Sequence, residues 1–276
     1  MNNVVLAFLL TLIAGLSTGI GSCIAFFAKK TNQKFLAVSL GFSAGVMIYV
    51  SMIEIFPKAQ SSLAQVYGNK TGLLVTILAF FGGMLLIGLI DKVIPSDKNP
   101  HEFHHTPEDE AALPDGSAPV TTKRDAPSLM RTGLFTALAI AIHNFPEGLA
   151  TFVSALQEPT VAIPIVVAIA IHNIPEGIAV SVPIYYATGS KKKAFLYSFA
   201  SGLSEPVGAL VGYLILMPFM SGGVYGILFA SVAGIMVFIS LDELLPSARE
   251  YGEHHLSIYG LVAGMAVMAI SLWLFM

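Results

Sequence analysis

The stretch Ala137-Leu-Ala-Ile-Ala-Ile-His143-Asn144-Phe-Pro146-Glu147-Gly148-Leu-Ala150 is answered further along by Val166-Val-Ala-Ile-Ala-Ile-His172-Asn173-Ile-Pro175-Glu176-Gly177-Ile-Ala179. Each copy sets a histidine, an amide, a proline and a carboxylate inside an apolar run. An acidic residue at the centre of a membrane helix costs about 3 kcal/mol on insertion scales, so carboxylates and imidazoles placed there need a compensating partner. A divalent cation supplies what both groups lack.

The surroundings of the doubled stretch are those of a membrane protein. Of 276 residues, 55% are hydrophobic and only 11% charged, where a soluble chain would carry about 25% charged residues. Mean hydropathy is +0.77. A bilayer span takes about 20 apolar residues. The apolar runs divide into eight such lengths, at residues 4–27, 35–56, 72–91, 132–155, 161–184, 194–217, 224–244 and 257–275. They lack the alternation of barrel strands, so the expected fold is all-α and polytopic, with eight transmembrane helices. No basic residue precedes Lys29, and the N-terminus reads as the first span rather than a cleavable signal peptide. Cys23 is the only cysteine, which excludes internal disulfides and a thiolate-rich metal site. The net charge of −3 discriminates little, and no nucleic-acid partner is expected.

Basic residues give the orientation. Lys29, Lys30 and Lys34 follow span 1, and Lys92, Lys98, Lys123, Arg124 and Arg131 surround the connection from span 3 to span 4. Lys191, Lys192 and Lys193 follow span 5, and Arg249 follows span 7. The other side has only Lys58 and Lys70. The positive-inside rule then places both termini outside.

Span 2 runs through Ala44-Gly-Val-Met-Ile-Tyr-Val-Ser-Met-Ile-Glu54-Ile-Phe-Pro57-Lys-Ala59 and is expected to stop at Pro57. Span 7 carries the same text as Ala233-Gly-Ile-Met-Val-Phe-Ile-Ser-Leu-Asp-Glu243-Leu-Leu-Pro246-Ser-Ala248. Gly15-Leu-Ser-Thr18-Gly-Ile-Gly21 in span 1 likewise matches Gly202-Leu-Ser-Glu205-Pro-Val-Gly208 in span 6. These pairs run in opposite directions through the membrane. One transmembrane domain over 1–276 is therefore expected in a 3+2+3 arrangement, with inverted repeats at about 1–91 and 194–276 around the 132–184 hairpin, a transporter pattern. Residues 95–128, rich in Pro, Thr, Ser and charge, read as a disordered cytoplasmic loop. Its His101, His104 and His105 read equally as a low-affinity metal-collecting tract or as a solvated run that binds nothing, and so does His254-His255.

In a helix His143 and Glu147 share one face, with Asn144 turned about 100° aside, and His172, Glu176 and Asn173 repeat the geometry. The short connection Leu156-Gln-Glu-Pro-Thr160 brings both motifs to one depth. Pro146 and Pro175 take helical partners from the carbonyls of Ile142 and Ile171, and Gly148 and Gly177 are expected to loosen each helix further. Span 6 adds Ser204-Glu205-Pro206. Two imidazoles, two amides and three carboxylates exceed what one small cation needs. Two ions bridged by Glu147 and Glu176 form one reading, and a polar cluster that merely pins the hairpin is the other.

His143-Asn-Phe-Pro-Glu-Gly148 and His172-Asn-Ile-Pro-Glu-Gly177, in an eight-span chain with a His-bearing loop between spans 3 and 4, resemble the ZIP (Zrt/Irt-like) family of metal transporters, in particular its small bacterial members. The resemblance implies uptake of zinc, often with iron, manganese, cobalt or cadmium, across a bacterial inner membrane into the cytoplasm. These ions are substrates rather than cofactors. It implies a two-metal centre in spans 4 to 6: one ion on His143, Glu147, His172 and Glu176, the second on Asn144, Asn173 and Glu205, with Glu147 and Glu176 shared. Divalent cations and lipid are the expected partners, and association into a homodimer stays open.

With that orientation Glu54 lies at the outer end of span 2 and Asp242-Glu243 at the inner end of span 7, bracketing the centre. Asp91 reads as an interfacial charge. An intramembrane metal-dependent hydrolase would instead need three fixed ligands, an open position and a general base. The duplication and the acidic residues at both mouths fit passage better than hydrolysis. Export remains the nearer rival to uptake.

Overall fold

The computed structural model describes residues 3–27, 33–93, 126–157, 159–251 and 254–275. Among them the chain is almost entirely helical, in eight rods: α1 (Asn3–Phe27), α2 (33–67), α3 (Asn69–Val93), α4 (Ala126–Gln157), α5 (Pro159–Thr188), α6 (191–219), α7 (222–251) and α8 (His254–Phe275). Five of them, within Asn3–Cys23, Ala37–Tyr67, Asn69–Lys92, Gly222–Arg249 and His255–Leu274, are long and apolar enough to cross a membrane. The polytopic expectation holds. The loop histidines His101, His104 and His105 lie outside the described residues, and α4 begins at Ala126, inside the tract expected as loop.

The second span does not stop at Pro57. Residues Ser51–Ile55 widen into a π-turn in which the Phe56 N–H donates to the Ser51 carbonyl, and the helix resumes as Phe56–Tyr67. Pro57 then stands in the first turn of that segment, where no helical N–H is required of it. The helix ends at Gly68, whose φ of 79° only glycine adopts readily. α7 repeats the device: Ser240–Leu244 is a π-turn closed by the Leu245 N–H on the Ser240 carbonyl, with Pro246 just beyond.

Glycines set how closely the rods approach. Residues 33–50 of α2 pack chiefly on α8, and α3 on α7. A Cβ on Gly45 would run into the Leu261 backbone in α8, and one on Gly234 into the Phe80 backbone in α3. The Ser231 hydroxyl donates to the Ala79 carbonyl at 3.2 Å across the same α3–α7 contact. Leu40, Met47, Phe152, Phe229 and Met236 fill the interior. α3 and α8 are the least buried spans, and Leu78, Leu85 and Leu89 of α3 face outward.

Two adjacent glycines of α3 separate packing from helix propensity. Gly83 lies against the Ser231 backbone, whereas Gly82 has nothing near it. Gly83→Ala is expected to cost about 1–3 kcal/mol by overpacking, seen as a lower melting temperature in detergent. Gly82→Ala should leave the melting temperature unchanged or raise it slightly. Equal effects at the two positions would contradict this packing.

Candidate metal centre

α4, α5 and α6 place seven polar side chains in one buried layer. His143, Asn144 and Glu147 come from α4, His172, Asn173 and Glu176 from α5, and Glu205 from α6. None is more than 2% exposed. The helices meet at this depth because small residues let them. A Cβ on Gly21 of α1 would strike the Ile174 carbonyl, and one on Gly208 of α6 the Phe145 carbonyl, the middle residues of the two motifs. The motif glycines do likewise: Gly148 lies against the Glu205 backbone and Gly177 against Thr18. Their expected role of loosening the helices is therefore corrected. Both rods remain helical through Pro146 and Pro175, and the glycines serve close approach. In α6 a single turn residue, Leu203, interrupts the helix just before Ser204–Val211, which carries Glu205.

The two motifs pair crosswise. His143 Nε2 lies 3.3 Å from Glu176 Oε2, and His172 Nε2 lies 3.3 Å from Glu147 Oε1. Each imidazole thus faces the carboxylate of the other helix. Asn173 Nδ2 donates to the Glu205 carboxylate and, at 3.0 Å, to the Ala14 carbonyl of α1. Among the described residues these groups meet in pairs rather than as a closed cage of three or more acidic, His or Cys ligands.

Several of their atoms have no hydrogen-bond partner among the described residues: both amide atoms of Asn144, both carboxylate oxygens of Glu147, Asn173 Oδ1 and Glu205 Oε2. A buried polar atom left unpaired costs about 1–3 kcal/mol. Acceptors gathered at this density suit cations with oxygen and nitrogen ligands, and the absence of thiolate leaves Zn²⁺, Fe²⁺, Co²⁺ and Mn²⁺ all compatible in ligand type.

Of the flanking acids, Glu54 forms an ion pair with Lys58 at 2.6 Å. Glu243 is buried and feels the charges of His143 and Glu176 together with those of Asp91 and Asp242. On the far side of Glu147 the surroundings are apolar: a cavity of about 10 Å³ is lined by Val50, Ile55, Phe229, Val232 and Met236, with the Thr151 and Ser154 side chains on the α4 wall.

Sequence reasoning missed two contributors. The Ala14 carbonyl could not be read, since any residue supplies one. Ser43 of α2 donates its hydroxyl to Glu176 Oε1 at 3.1 Å. Its only sequence signal was a place immediately before the stretch that spans 2 and 7 share.

A sequence profile described as ZIP Zinc transporter matches residues 95–272. A protein named Zinc transporter ZupT from Clostridium perfringens is 65% identical over 100% of this chain and 98% of its own length. One of the same name from Streptococcus mutans is 66% identical over 98% of this chain and 97% of its own. Another, from Nitratidesulfovibrio vulgaris, is 61% identical over 99% and 98%.

The unpaired amide of Asn144 gives a direct check. Asn144→Leu should stabilise the metal-free protein by about 1–3 kcal/mol, by removing a buried amide with nothing to bond. It should also shrink the rise in melting temperature that added zinc produces. A full zinc-induced rise in the variant would exclude Asn144 from the metal's ligands.

Proposed function

The chain belongs to the ZIP family of zinc transporters, and on that premise we propose that it carries Zn²⁺ across the membrane into the cytoplasm through a binuclear centre between α4, α5 and α6. The observation that carries this reading is the crosswise His–Glu pairing of two matching motifs in a buried layer. A cation entering between the rods converts each His–Glu pair into His–metal–Glu and supplies the unpaired oxygens with a partner. His143, Glu147, His172 and Glu176 hold one ion. Asn144, Asn173 and Glu205 hold the second, and Glu147 and Glu176 bridge the two. Three carboxylates against two divalent ions leave little net charge at membrane depth, which keeps the desolvation cost low. Oxygen and imidazole ligands discriminate weakly, so iron, manganese, cobalt and cadmium are carried as well.

Passage uses the inverted repeat. Its support lies in paired details: π-turns at Ser51–Ile55 and Ser240–Leu244, Gly45 on α8 against Gly234 on α3, and Gly21 on one motif against Gly208 on the other. α1–α3 and α6–α8 are then equivalent units about the α4–α5 hairpin, and they expose the centre to the two sides in turn. Val50, Ile55, Phe229, Val232 and Met236 line an apolar cavity beside Glu147. Glu54 receives the ion outside once Lys58 gives way, and Glu243 with Asp242 passes it inward.

Initial-rate uptake of radioactive zinc by cells expressing single variants tests this. Alanine at His143, Glu147, His172 or Glu176 should bring uptake to background with protein still in the membrane. Near-normal uptake by both glutamate variants would overturn the binuclear centre.

A further inference from the structure

Among the described residues, one side chain from outside the α4–α6 layer reaches a motif carboxylate through a hydrogen bond. It is Ser43, fully buried on α2, with its hydroxyl 3.1 Å from Glu176 Oε1 and 3.4 Å from the His172 carbonyl one turn earlier on α5. The other oxygen of Glu176 faces His143. In the stretch shared by spans 2 and 7, Ser43 immediately precedes Ala44 and Val232 immediately precedes Ala233. Val232 is buried and lines the apolar cavity beside Glu147. A valine has no hydroxyl, and Glu147 Oε2, the oxygen not facing His172, has no hydrogen-bond partner among the described residues. The two halves of a doubled site therefore differ at this matched position, as they do where Thr18 stands opposite Glu205.

We propose that Ser43 is a positioning residue of the centre: by occupying Glu176 Oε1 it fixes the carboxylate so that Oε2 alone turns to the cation, while Glu147, whose Oε1 faces His172, keeps its Oε2 unheld. The assignment rests on the zinc-transport reading of the same site. Its consequence is an unequal pair of carboxylates, one held in advance and one free to follow the ion. Outer partners that orient a metal ligand are worth about 10–100-fold in metal affinity or activity.

The test is equilibrium zinc binding to the purified full-length protein in detergent, by competition with a chromogenic chelator, alongside zinc uptake kinetics in proteoliposomes. Ser43→Ala is expected to weaken zinc binding by about tenfold and to raise KM in step, with Vmax retained. Ser43→Thr, which keeps the hydroxyl, should restore most of the loss. In a Glu176→Gln background Ser43→Ala should have no further effect, because the two residues act as one unit. Wild-type affinity in Ser43→Ala would overturn the assignment. So would a threonine variant as weak as the alanine one, or an alanine effect undiminished in the Glu176→Gln background. If zinc binding responds to Glu176→Gln and not to Ser43→Ala, only the role of Ser43 fails. If it responds to neither, the zinc-site reading fails with it.

Discussion

A carboxylate at membrane depth has to be neutralised, and the arrangement of α4 and α5 follows from that requirement. Glu147 and Glu176 each meet the imidazole of the opposite helix at 3.3 Å. This crossing ties the two rods together at one level and leaves Glu147 Oε2 without a hydrogen-bond partner among the described residues. Removing one member of a buried charged pair generally costs more than the pair contributes, because the survivor is stranded. On the proposed reading the centre is poised: stable enough to fold around, with buried acceptors that a cation would satisfy.

The second requirement is distance. Imidazole and carboxylate side chains reach across only where backbones come close, and in this protein the closeness comes from glycine. Gly148 and Gly177 belong to the motifs themselves and press against α6 and α1, while Gly208 and Gly21 press back on Phe145 and Ile174. Each motif is thus clamped from a neighbouring rod in the same way. Close packing without a hydrophobic drive between helices is how membrane bundles gain stability. Here it also brings the motif side chains of α4 and α5 within reach of one another.

Much of this was legible in the sequence, and the misreadings have physical causes. His143, Glu147 and their counterparts stand out because polar residues inside apolar runs are costly, so their presence demands a reason. The eight rods followed from run length. Pro57 misled because a proline ends most helices, whereas here a π-turn comes just before it and brings it into a first turn. Gly148 and Gly177 misled because their function depends on a helix distant in sequence. Ser43 was illegible for a similar reason: serine is common in apolar spans, and its partner Glu176 lies 133 residues away.

X-ray absorption at the zinc edge, on the full-length protein loaded to saturation, tests the central claim most directly. Crossed His–Glu ligation predicts nitrogen and oxygen neighbours at about 2.0–2.2 Å with imidazole scattering and no sulfur shell. Bridging carboxylates predict in addition a zinc neighbour at about 3.5–4 Å. A shell without imidazole, or saturated protein with no metal neighbour at that distance, would contradict the account.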